Sequence, residues 1–145
     1  MITQLYISVG ISFYLLLTIR IFGIRGNPIF WWLSYGKENE ETVNRAVRGH
    51  ANFVEYAPLF FIMLFILEHV GTPAISLHVL AITFLLGRIS HGLLFSFLTY
   101  KSIALRTIGM LGTLIALFLA AFFNAVQYIA SFNWALANTI LSALP

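Results

Sequence analysis

Four runs of predominantly apolar residues, at positions 2–22, 50–68, 74–98 and 107–130, leave this chain few folds to choose from. Each is about as long as the ~20 residues a helix needs to cross ~30 Å of hydrocarbon. Lipid offers no partner to backbone N–H and C=O groups, so each run must become a helix. The expected fold is therefore an all-α, four-helix transmembrane bundle. Of the 145 residues 60% are hydrophobic and only 9% are charged, against about 25% charged in a soluble domain. The length leaves room for one transmembrane domain over 1–145 and no soluble module. The start, M-I-T-Q-L-Y-I-S-V-G, has no positive n-region and no small-residue cleavage site, so it reads as a retained first span.

The few charges are unevenly placed. Arg20, Arg25, Lys37, Arg45 and Arg48 fall between or beside spans one and two, and Lys101 and Arg106 between spans three and four. The turn V-G-T-P (70–73) and both ends of the chain lack Lys and Arg. The positive-inside rule puts both basic connections in the cytoplasm and both termini on the other side. The net charge of +3 is thus a topology signal, and no nucleic-acid partner is expected. Trp31, Trp32 and Tyr35, in a segment too short to span, suit the membrane–water interface. Glu38, Glu40 and Glu41 suit the first turn of the next helix, where negative charge meets the helix dipole. Pro58 is expected to kink that helix. The tail from 131 to 145 reads as an interfacial helix or an extension of the fourth span.

The densest chemistry lies in R-A-V-R-G-H-A-N-F-V-E-Y-A-P (45–58). Arg45, Arg48, Asn52 and Glu55 stand at offsets 0, 3, 7 and 10, within an arc of roughly 80° at about 100° per residue. Ionisable groups entering a bilayer face the bundle interior, pair with one another and mark a site. The plainer alternative is a cluster that only glues helices together. Arg20 either snorkels to the headgroups or turns inward. Arg88 lies inside the third span and needs a partner; Glu55, the one acidic residue near that membrane face, is expected to supply it within or between subunits. His91 follows Arg88 by three residues, with Phe95 on the same face. In span four, Gly109, Thr113, Ala116 and Ala120 form a small-residue seam suited to close packing, and Asn124 and Gln127 can bond across helices. The topology collects Arg20, Arg45, Arg48, Asn52, Glu55, Arg88, His91 and Arg106 in one layer.

Several guanidiniums beside one carboxylate suit a small anionic ligand bearing carboxylates and an ammonium group. The surrounding apolar helices give a lipid-dissolved second substrate access. An Arg in a poorly hydrated pocket also favours a thiolate; with no cysteine in the chain, that thiol must belong to the ligand. The absence of Asp argues against a Ser/His/Asp arrangement, the dispersed His50, His78 and His91 against a metal site, and an acid-free first span against small proton-coupled exporters.

R-G-H-A-N-F-V-E-Y-A-P-L-F, following N-R-A-V, resembles the second-helix signature of the MAPEG family, membrane-associated proteins in eicosanoid and glutathione metabolism. Arg48, Asn52, Glu55, Tyr56 and Pro58 match it in order and spacing, and G-R-I-S-H (87–91) looks like the third-helix motif of the prostaglandin E synthase branch. The resemblance implies a homotrimer of four-helix subunits with glutathione, as co-substrate, folded between neighbours and open to the cytoplasm. It implies that Arg106 stabilises the thiolate and that Arg20, from a neighbouring subunit, joins Arg45, Arg48, Asn52, Glu55, Tyr56, Arg88 and His91 around the tripeptide. A Tyr often found four residues after the His is Phe95 here, which removes a hydroxyl. The chain looks like a bacterial-type member, and the expected function is a glutathione-dependent transferase or peroxidase acting on lipophilic electrophiles, in a bacterial inner membrane with its active site facing the cytoplasm. The alternative is a non-catalytic trimer that binds a lipid or small anion, or acts as a scaffold.

Overall fold

The computed structural model describes residues 1–98 and 102–142; Lys101 and the last three tail positions lie outside the described residues. Four helices follow in chain order: α1 (Ile2–Ile24), α2 (Glu40–His69), α3 (Ala74–Ser96) and α4 (Ile103–Ser142), with a short 3-10 segment at Pro28–Leu33. All four are long and apolar enough to cross a membrane. Among the described residues there is no strand.

Local chemistry accounts for the breaks. Asn39 is the N-cap of α2 and its Oδ1 accepts the Thr42 N–H at 3.2 Å, leaving Glu40 and Glu41 in the first turn and Glu38 ahead of it. The helix then runs unbroken through Pro58. The turn into α3 needs a left-handed residue, and Gly71 takes φ +82° there at no steric cost. Ser102 opens α4, its Oγ accepting the Leu105 N–H at 3.2 Å. From there α4 is continuous to Ser142, so the tail through that residue is a helix extension.

α3 is the central element, packed on α1, α2 and α4. Its Leu77, Leu80, Ala81 and Phe84 meet Phe60, Leu64 and Leu67 of α2 and Leu17 of α1 in one apolar core. Phe60 and Phe84 stack with ring centroids 3.9 Å apart and planes 3° off parallel. Against the other side of α3, Gly109, Thr113, Ala116 and Ala120 of α4 are all buried, as the small-residue seam predicts. The two backbones nearly touch: a Cβ on Gly87 would lie 2.7 Å from the Gly109 carbonyl oxygen. Asn124 donates across helices to the Met63 carbonyl at 3.2 Å.

The two ends of the bundle differ. At one, Glu68 accepts the Thr3 N–H at 2.9 Å and Tyr6 Oη pairs with His78 Nδ1 at 2.7 Å. The other carries the arginines and the 3-10 segment, with Trp31 and Trp32 exposed as an interfacial segment requires.

Candidate functional site

The site lies where the N-terminal half of α2, the C-terminal end of α3 and the first turns of α4 meet. The backbone carbonyls that end α3 have no intrahelical donors, and two arginines satisfy some of them. Arg45 Nη2 donates to Leu94 O at 2.7 Å and to Leu98 O at 2.9 Å. Arg20 Nε donates to Ser96 O at 2.9 Å, Nη2 to Tyr35 O at 2.9 Å, and Nη1 to Leu33 O. Arg20 therefore turns inward and does not snorkel. It is 0% exposed, with its guanidinium 3.9 Å from the Tyr35 ring centroid, and clamps α1, the interfacial segment and α3 together. Within this chain it lines neither of the two cavities that form the groove.

Arg88 finds other partners within this chain. It is 2% exposed and makes no ion pair with Glu55 in this chain. Its Nε donates to Thr113 Oγ1 at 2.7 Å and its Nη1 to Asn52, through the side-chain oxygen and, at 3.4 Å, the backbone carbonyl. The Tyr56 ring centroid lies 4.9 Å from the guanidinium. Neutral dipoles from α2 and α4 thus hold the buried cation, and Arg88 and Tyr56 support the groove from behind its wall. Glu55 stays exposed and lines the groove itself.

The groove consists of two adjoining cavities. One, of about 290 Å³, is lined by Glu41, Arg45, Arg48, Leu94, Phe95, Ser102, Ile103 and Arg106. The other, of about 230 Å³, is lined by Arg48, Ala51, Asn52, Glu55, His91, Phe95, Arg106 and Met110. Together they fall within the ~300–1,000 Å³ usual for small-molecule sites. Arg48, Phe95 and Arg106 belong to both. So Arg45, Arg48, Asn52, Glu55, His91 and Arg106, singled out in the sequence, do line one groove. Glu41, Ser102 and Met110 join them without any motif to announce it; Glu41 continues the α2 face one turn before Arg45, which is the signal that finds it.

Phe95 stands at the centre. His91 stacks on it, centroids 4.5 Å apart at 14°, and Arg106 and Arg45 lie over the ring at 5.7 and 5.9 Å. Gly49 lets α3 come this close to α2, since a Cβ there would meet Ser96 Oγ at 2.5 Å and Phe95 Cβ at 3.1 Å. Three guanidiniums and two carboxylates around an apolar floor suit, by charge, a small polyanion with one cationic group. Forked guanidiniums take carboxylates bidentately, and Glu55 can take an ammonium.

No curated protein and no solved structure matches the chain. The model of the MAPEG family matches residues 3–126, the stretch that holds every groove residue. With four membrane-length helices and that match over most of its length, the chain is an integral membrane protein and belongs to the MAPEG family.

Proposed function

We propose that this protein is a membrane-embedded glutathione-dependent transferase or peroxidase for lipophilic electrophiles. It works as a homotrimer, with the groove and both basic connections facing the cytoplasm and both termini on the opposite side. The observation that carries the reading is the convergence of Arg48, Asn52, Glu55, His91 and Arg106, from three helices, on one open groove beside apolar helix faces.

Arg48 and Arg45 bind glutathione carboxylates, Asn52 and Glu55 hold polar groups of the tripeptide, and Arg106 lies beside the sulfur. A positive charge there favours the thiolate over the thiol, and the proton leaves to water. The thiolate attacks an electrophilic carbon delivered from the bilayer and forms a thioether; a leaving group departs as its anion, or, at an activated double bond, the π bond breaks and the neighbouring carbon takes a proton from water. With a hydroperoxide, sulfur attacks the terminal oxygen and the alcohol departs. The resulting sulfenic acid condenses with a second glutathione to give disulfide and water.

Glutathione added to the purified protein is expected to develop ultraviolet thiolate absorbance near neutral pH, and Arg106→Ala to abolish it while retaining tripeptide binding by calorimetry. Absence of both signal and binding in the unaltered protein removes the reading. One observation favours a second, non-catalytic reading. Arg20, Arg45 and Arg88 are engaged by carbonyls and side chains of the fold itself, as in a membrane protein whose cations serve the fold more than a reaction. Glutathione binding without thiolate in the unaltered protein selects it.

A further inference from the structure

The two cavities of the groove share one wall, and that wall says where the middle of a bound ligand sits. Arg45 and Glu41 line the first cavity only, and Asn52, Glu55 and His91 the second only. Arg48, Phe95 and Arg106 line both. A tripeptide with charged groups at each end, laid along the groove, puts its ends in the two cavities and its central residue against the shared wall. In glutathione the central residue is the cysteine. Of the three shared side chains, Phe95 is the apolar one; it offers the sulfur no hydrogen bond.

Phe95 also determines where Arg106 stands. The Arg106 guanidinium lies 5.7 Å from the Phe95 ring centroid, within the ~6 Å over which a ring face attracts a cation. His91, 5% exposed, stacks on that ring and fixes its plane. Arg106 itself is exposed in the first turn of α4. An exposed arginine samples many rotamers unless something holds it, and the ring is a surface that does so without taking up its N–H donors.

We infer that Phe95 is the positioning residue of the thiol subsite: it holds Arg106 over the sulfur and leaves ionisation to charge alone, with no hydroxyl donor. This inference rests on the glutathione reading above. It predicts that the ionisation midpoint of the bound thiol depends on Phe95.

The experiment titrates the thiolate absorbance of glutathione bound to the full chain in lipid nanodiscs. It compares the unaltered protein with Phe95→Leu and Phe95→Tyr. Affinity for S-methylglutathione, a thioether that cannot ionise, is measured alongside by calorimetry. Phe95→Leu keeps an apolar floor without a π face, so the midpoint is expected to rise by ~0.5 pH unit, the size of one exposed cation–π contact. Phe95→Tyr adds a donor beside the sulfur, so the midpoint is expected to fall. S-methylglutathione affinity sets the concentration that saturates each variant, so the midpoint is read on bound tripeptide alone. Where Phe95→Leu does not fold, Phe95→Met, which also lacks a π face, takes its place, and an unshifted midpoint in it overturns the positioning role. A thiolate in the unaltered protein with an unshifted midpoint in Phe95→Tyr overturns the Phe95 assignment and leaves the glutathione reading standing. No thiolate in the unaltered protein overturns both.

Discussion

Arg88 shows how a single buried charge is settled. A guanidinium at that depth needs acceptors, and the sequence offers Glu55 as the one carboxylate near its face. In the folded chain Asn52, about one turn from Glu55, takes that place together with Thr113. Asn52 therefore has a structural duty that its position in a ligand-binding motif conceals. Asn52→Ala is expected to leave one donor of Arg88 unmet, at about 1–3 kcal/mol, read as a lower midpoint in detergent unfolding. Combining it with Arg88→Met removes the orphaned charge, so the pair is expected to lose less than the sum of the single changes. Additive losses mean that Asn52 and Arg88 are not coupled.

Between elements, the crossing of α3 and α4 sets the geometry of the groove. Gly87 and Gly109 bring the two backbones together, and a Cβ on Gly109 would lie 3.0 Å from the Gly87 carbonyl oxygen. Arg106 lies one turn before Gly109 on α4, and His91 one turn after Gly87 on α3, so this contact sets the spacing between the two sides of the groove. Gly87→Ala is expected to force the helices apart and cost about 1–3 kcal/mol. Gly112→Ala is a fair control. Its Cβ would meet only the Thr83 carbonyl oxygen, at an ordinary 3.7 Å, and alanine favours the helix by up to about 1 kcal/mol. Thermal unfolding of the two variants in parallel separates close approach from a general intolerance of side chains along α4.

Across the whole molecule, α4 is longer than a span requires. Its 40 residues extend about 60 Å at 1.5 Å per residue, twice the ~30 Å of hydrocarbon. The groove draws only on its first turns, through Ser102, Ile103, Arg106 and Met110. On the proposed glutathione reading, removing residues 132–145 is therefore expected to leave affinity for the tripeptide unchanged within about twofold, measured by calorimetry on the truncated and full chains. A large loss places the tail in the site.

Much of this architecture is readable along the chain because its causes are local. Apolar runs of membrane length must be helical, Asn39 and Gly71 mark an entry and a turn, and the 45–55 periodicity puts polar groups on one face. Those features depend on residues a few positions apart, and they survive into the fold. What periodicity does not encode is how far each helix is rotated and slid against its neighbours. That relation rests on three glycines at two crossings, Gly49 between α2 and α3 and the facing pair Gly87 and Gly109 between α3 and α4, whose effect is the absence of an atom. It alone decides that Arg20 turns in to cap α3, that Asn52 reaches Arg88 in place of Glu55, and that Phe95 becomes the wall between two cavities. Local sequence determined which groups enter the membrane; contact distances between helices decided which of them face one another.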